Sequence, residues 1–172
     1  NVIVMDREEL IIMIKDAMVR NLVYLERDIL ARSLSILHVQ GYEYTGYRAR
    51  IYNMKSYFDE NMRLLQHENM TALFPAERPV YTKVRDEAPV RYAMDCKLKN
   101  ALVADGCIIE GTVENCVLFR GVKICKGAVV RNCVLMQGTT VEENSHLDYI
   151  VTDKNVTISA QKNLAGTSTF PV

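Results

Sequence analysis

The chain has 172 residues, 49% of them hydrophobic, and its 21 Lys and Arg are balanced by 21 Asp and Glu. That is enough apolar content for one sizeable core or two small ones, while zero net charge removes any general electrostatic case for nucleic acid or an anionic membrane as partner. No apolar run approaches the length needed to span a bilayer. The opening Asn1-Val2-Ile3-Val4-Met5-Asp6 has no signal-peptide pattern and reads like the middle of a strand in a longer protein.

Taken in order, residues 2–5 are apolar and largely β-branched, so a buried strand is expected there. Asp6 then caps a helix, with Glu8 and Glu9 in its first turn, and Leu10, Ile14, Ala17 and Met18 follow at helical spacing. A second helix is expected over 28–37, with Ile29, Leu30, Leu34 and Leu37 facing inward. The Tyr- and Gly-rich stretch 39–51 reads as one or two strands turning at Gly46, and a third helix is expected over 54–67, with Met54, Tyr57, Phe58, Met62 and Leu65 on one face. Residues 1–70 thus form a first α/β module. Pro75, Pro79 and Pro89 mark an extended connector over 71–90.

From 91 to 165 the pattern changes. Ile109, Leu118, Ile124, Val130, Leu135, Val141 and Leu147 recur about every six positions, and two residues before each stands a mostly small residue: Cys107, Cys116, Val122, Ala128, Cys133, Thr139 and Ser145. Such a period marks a solenoid, in which each short rung buries its apolar side chain by stacking on the next. The expected fold here is a left-handed parallel β-helix of hexapeptide repeats, three sixes closing one triangular coil. Gly106, Gly111, Gly121, Gly127 and Gly138, with Asn100, Asn115, Asn132 and Asn144, fall where corners need positive φ. The phase slips between Ile109 and Leu118 and again between Val130 and Leu135. The tail, 166–172, is expected to be loosely ordered from Lys162 onward.

Cys107, Cys116, Cys125 and Cys133 lie inside the repeat without C-x-x-C spacing, which disfavours zinc and fits small buried side chains. So many free thiols point to a reducing, cytoplasmic setting. Hexapeptide solenoids also occur in acyltransferases, whose chemistry needs a His general base in an intersubunit cleft. Here His146 is the one histidine of the repeat and reads as a surface residue. Glu142-Glu143 and Asp86-Glu87 read as solvated faces.

Three stretches together resemble the glucose-1-phosphate adenylyltransferase family. Arg78-Pro79-Val80-Tyr81-Thr82 with Ala88-Pro89 is similar to the family's connector, W-P-I-x-T…P-P; 100–109 is similar to N-S-L-V-x-x-G-C-x-I at the start of its β-helix; and Met54-Lys55-Ser56-Tyr57-Phe58-Asp59-Glu60-Asn61 is similar to the helix that ends its nucleotidyltransferase domain. The resemblance implies an α+β fold followed by all-β: the C-terminal end of a nucleotidyltransferase α/β domain, then the β-helix. It also implies a departure. The metal-binding Asp of the family's W-R-D-V-G-T motif aligns with Arg50, and the following Gly with Tyr52. An Arg cannot ligate a cation and repels one, and a Tyr blocks the close backbone approach that Gly permits. The implied role is that of a non-catalytic regulatory or structural subunit with no catalytic residues, metal site or cofactor of its own; magnesium would belong to a catalytic adenylyltransferase subunit, the expected partner in a homo- or hetero-oligomer. A truncated catalytic member and a hexapeptide acyltransferase are the alternatives. Arg48, Arg50, Arg91 and Arg120 are candidates for a phosphosugar effector, since basic side chains suit such anions.

Overall fold

A computed structural model describes residues 2–82 and 85–172; Lys83 and Val84 of the expected connector lie outside the described residues. The chain forms two compact units, 1–45 and 46–172.

The first unit is helical. In α1 (Arg7–Val19), Asp6 accepts from the Glu8 and Glu9 amides at 2.8 and 3.4 Å, the cap expected from its sequence. Ala17 is buried, but Ile14 and Met18 are exposed, and Leu10, Ile11 and Met13 form the half-buried stripe instead. The expected second helix is a π-helical turn (Leu25–Leu30) running into a short α2 (Ala31–Ser33). It stops short of Leu34, which is exposed along with Ile36. The strands expected over 2–5 and 39–51 are absent: among the described residues no strand precedes Arg91. An extended segment becomes a strand only when a neighbour takes its backbone N–H and C=O groups, and Val2, Val4, Tyr42 and Tyr44 stand exposed with no backbone hydrogen-bond partner among the described residues.

The second unit opens with α3 (Met54–Arg63) and α4 (His67–Leu73) in place of one helix over 54–67. Asn53 starts α3 with a reciprocal cap, its Oδ1 accepting from the Ser56 amide at 2.7 Å while Ser56 Oγ accepts from the Asn53 amide at 3.0 Å. The break after Arg63 is held by Asn69, whose Nδ2 donates to the Arg63 carbonyl at 3.0 Å and to Gln66 Oε1 at 2.8 Å.

From Arg91 onward the chain is a parallel β-solenoid of short strands with three faces. The first face stacks β1 (Arg91–Tyr92), β3 (Ile108–Ile109), β5 (Lys123–Ile124), β8 (Thr140–Val141) and β11 (Thr157–Ile158). The second carries the leading halves of β2 (Lys97–Val103) and β4 (Thr112–Leu118), then β6 (Val129–Arg131), β9 (His146–Asp148) and β12 (Asn163–Ala165). The third carries the trailing halves of β2 and β4, then β7 (Val134–Leu135) and β10 (Val151–Thr152). All seven aliphatic positions read from the sequence, Ile109 through Leu147, are buried, as are all seven small positions two residues earlier.

The phase slips have a structural cause. Lys123 pairs with Thr140 on the next coil, and Val134 with Val151, so each of these coils falls one short of three full sixes. The side between the second and third faces is the shortened one, because a single left-handed residue turns that corner: Asn100, Asn115, Asn132 or Tyr149. The coil that leads from Ile108 to its partner Lys123 is shorter still. There Val113 fills the core, and Gly111 makes the shortcut. Gly111 does not have the positive φ expected of it. It is required by close approach, since an added Cβ would collide with the Ala128 carbonyl oxygen and lie 2.9 Å from that of Cys125.

The end of the chain is tied down, contrary to the loose tail expected. β12 pairs with β9, the Val151 amide donates to the Val172 carbonyl at 2.7 Å, and the Val172 amide donates to the Tyr149 carbonyl at 3.0 Å. These bonds cap the third face at its open edge.

Candidate functional site

The segment in front of α3 carries the two positions at which the sequence departs from the family pattern. Tyr47 anchors its start. Its hydroxyl donates to Glu60 Oε2 at 3.1 Å, Arg63 donates to both Glu60 oxygens at 2.8 Å, and the Arg63 guanidinium lies over the Tyr47 ring, 4.9 Å from its centre. Burial, then the bond to the Glu60 carboxylate, raises the Tyr47 hydroxyl above the usual tyrosine range.

α3 is fixed in turn to the third face of the solenoid. Phe58, 4% exposed, packs on Val117 and Val134, which point outward from β4 and β7, with Tyr57, Met62, Leu65, Tyr149 and Val151 around it. The Phe58 and Tyr149 rings sit 6.0 Å apart, within the aromatic pairing range. Tyr149 holds a left-handed backbone (φ 55°) that a bulky residue rarely adopts. Asn, which tolerates the conformation better, occupies the equivalent corners at 100, 115 and 132. Contact with Phe58 accounts for the exchange.

Between the start of α3 and the third face lies an open groove of about 430 Å³, lined by Ile51, Tyr52, Asn53, Met54, Tyr57, Met136 and Val151. Its walls carry no carboxylate and no imidazole. The surroundings therefore do not fit a divalent cation: Arg50 is an exposed cation, Tyr52 puts a ring where a glycine would leave room, and among the described residues no cluster of His, Cys, Asp and Glu could hold a metal. The lining of the groove is mostly apolar and aromatic.

Among the described residues no side-chain hydrogen bond or ion pair links the four candidate effector residues to one another. Arg48 and Arg50 are exposed ahead of α3, Arg91 is exposed on β1, and Arg120 is half-buried at the corner after β4. None forms an ion pair among the described residues. His146 is exposed on the outside of β9 and does not line this groove.

Three of the four repeat thiols serve the core, whereas Cys125, expected to be buried with them, is half-buried. Cys107, Cys116 and Cys133 are fully buried, and each donates to a backbone carbonyl: Phe119 at 3.1 Å, Glu114 at 3.0 Å and Arg131 at 2.8 Å. Burial pushes the Cys107 and Cys133 thiols up, and at Cys133 the neighbouring Cys116 thiol adds to the rise. Raised thiols are poor nucleophiles. A side-chain amide ladder runs beside them, which the corner pattern of its asparagines does not by itself reveal: Asn100 donates to Asn115 at 2.8 Å, Asn115 to Asn132 at 3.3 Å, and Asn132 to Asp148 at 2.8 Å.

Residues 88–167 match the model of the GlmU-like, C-terminal hexapeptide family. The chain is 41% identical over 138 residues to the glycogen biosynthesis protein GlgD of Bacillus subtilis strain 168, a match that covers 80% of this chain and 40% of that protein. The chain belongs to the GlgD/glucose-1-phosphate adenylyltransferase family. GlgD of Geobacillus stearothermophilus is 53% identical over 70 residues, spanning 41% of this chain and 20% of that protein. Glucose-1-phosphate adenylyltransferase of the same species is 38% identical over 90 residues, spanning 52% of this chain and 23% of that protein. The chain thus spans two-fifths or less of the length of these relatives and corresponds to the C-terminal region of the GlgD/adenylyltransferase family. Among the described residues no helix is long and apolar enough to cross a membrane.

Proposed function

We propose that this chain is the C-terminal part of a regulatory or structural subunit that assembles with a catalytic glucose-1-phosphate adenylyltransferase in the cytoplasm. It supports ADP-glucose formation for glycogen biosynthesis without performing nucleotidyl transfer itself. Arg50 carries the reading. It stands where the family motif places a metal-binding Asp, with Tyr52 in place of the following Gly, and a fixed positive charge at that point opposes the magnesium ion such chemistry uses. In this reading the magnesium is held by the catalytic partner.

The long match to GlgD supports the same assignment. The Phe58 docking on the third face and the Tyr47–Glu60–Arg63 clamp give the segment a packing role, joining the end of the nucleotidyltransferase region to the solenoid. Arg48, Arg50, Arg91 and Arg120, all without ion-pair partners among the described residues, remain the candidates for a phosphorylated sugar.

The test is nucleotidyl transfer by the full-length protein alone, supplied with ATP, glucose 1-phosphate and magnesium. The expected result is no ADP-glucose. Formation of ADP-glucose that disappears on Arg50→Ala would overturn the reading in favour of a catalytic member. The effector assignment is tested separately by thermal shift with fructose 1,6-bisphosphate: a rise in Tm lost in Arg50→Ala supports it, and no shift removes it.

A further inference from the structure

We propose that the groove between the start of α3 and the third face takes the apolar side of an amphipathic helix whose outer side is acidic, presented by a partner protein. Ile51, Tyr52 and Met54 are 57%, 76% and 54% exposed, and they converge there with Met136 and Val151. Apolar residues scattered singly over a surface need no partner. These share one concavity of about 430 Å³, inside the roughly 300–1,000 Å³ that binding clefts span. Met54 and Met136 add unbranched thioether chains, which repack around partner side chains of differing shape.

The walls are fixed before anything binds, and they select the mode of binding. On the solenoid side, Val151 pairs with Val134. On the other side, Ser56 Oγ accepts from the Tyr52 amide at 3.0 Å, beside the reciprocal cap of Asn53. An extended peptide would bind by adding a strand to a free sheet edge. That edge is taken: Val172 accepts from the Val151 amide at 2.7 Å and donates to the Tyr149 carbonyl at 3.0 Å. A helix satisfies its own backbone and needs only a row of side-chain anchors at i, i+3 or i+4, and i+7.

Charge selects the acidic outer side. No carboxylate lines the groove. Arg48 and Arg50, on the segment that leads into it, are exposed and have no ion pair among the described residues. Both acids of α3 are already paired, Asp59 with Lys55 and Glu60 with Arg63. Beyond Val151, the exposed Asp153 is followed at once by the exposed Lys154. The surroundings are thus net positive, which favours an acidic partner and disfavours a basic one. The inference holds whether or not the protein performs nucleotidyl transfer itself.

The test is fluorescence polarisation of the full-length protein with a labelled helical peptide of about sixteen residues, leucines at the anchor positions and glutamates elsewhere. Saturable binding is expected at ~0.05 M salt, weakening at least about tenfold at ~0.5 M as screening sets in. The same peptide with lysine for every glutamate should bind at least about tenfold more weakly. Met136→Glu should abolish binding. So should Ile51→Ser with Tyr52→Ser, which alters only exposed side chains and leaves the fold intact. Arg48→Glu with Arg50→Glu should remove the preference for the acidic peptide. Circular dichroism establishes that each variant is folded. No binding of the acidic peptide overturns the proposal, as does equal binding of the lysine peptide. Binding that survives both Met136→Glu and the Ile51→Ser, Tyr52→Ser pair also overturns it, since the peptide would then lie elsewhere.

Discussion

Replacing Gly111 by Ala tests the reasoning about the short coil most sharply. The backbone at Gly111 lies outside the left-handed region. Conformational bias alone would therefore make Ala stabilising, by about 0.4–1 kcal/mol through a less flexible unfolded chain. The structure predicts the opposite sign. The new methyl would collide with the Ala128 carbonyl oxygen and sit 2.9 Å from that of Cys125 and 3.1 Å from Ile124 Cγ2. The first two are backbone atoms of the neighbouring coil. The Ala128 oxygen cannot swing away without losing the Thr112 amide at 2.8 Å, and the Ile124 side chain is fully buried. Overpacking of this kind costs about 1–3 kcal/mol and more where backbone must shift, so a net loss of about 2–3 kcal/mol is expected. Gly121→Ala is the control: its φ is +67° and the space around an added Cβ is empty, so only the left-handed penalty of about 1–2 kcal/mol applies, partly offset by the same unfolded-state gain. Urea unfolding followed by circular dichroism measures both. Gly111→Ala as stable as the parent, or less harmful than Gly121→Ala, would refute the close-approach account.

Phe58→Ala should cost about 3 kcal/mol or more, as for a large buried aromatic, and hydrogen exchange should lose protection over α3 while the solenoid core keeps it; uniform loss would mean that α3 is not a separable docked element. Asn132→Gly keeps the left-handed corner but removes both amide-ladder bonds at that position, with an expected cost of about 1–2 kcal/mol by thermal unfolding. For pH, the buried Cys107 and Cys133 thiols are raised in the folded chain. Their contribution is therefore fully present below the ordinary thiol pKa of about 8.5 and is lost as pH rises above it, by up to ~1.4 kcal/mol per pH unit per thiol, because the unfolded chain releases protons that the folded one keeps. Thermal unfolding from about pH 7 to about pH 10 should show this decline, and Cys107→Ala with Cys133→Ala should flatten it.

The solenoid is legible in the sequence because its period expresses one physical demand repeated on every coil, so that Ile124, Val130 and Leu135 announce their own burial. Its irregularities are only half legible. The slips mark where something happens, but the pattern assigns Gly111 a turn when its role is close approach, and nothing in the sequence marks Tyr149 as a left-handed corner. The amide ladder has a signal in the recurrence of Asn100, Asn115 and Asn132 about one coil apart. Residues 1–70 are harder to read because their signals are local. Asp6 fixes its cap with atoms a turn away, whereas strands over 2–5 and 39–51 require partners that local sequence cannot supply. At the candidate site, the Arg50 and Tyr52 departures are visible only against a family pattern. The groove beside them depends on Met136 and Val151, far along the chain.

The most direct test of the central claim is the rate of ADP-glucose synthesis by the catalytic glucose-1-phosphate adenylyltransferase subunit, measured with and without the full-length protein to which this chain belongs. The account predicts that the two copurify and that the rate or its response to phosphosugars changes on mixing, while the full-length protein alone stays inactive. No association and an unchanged rate would contradict it.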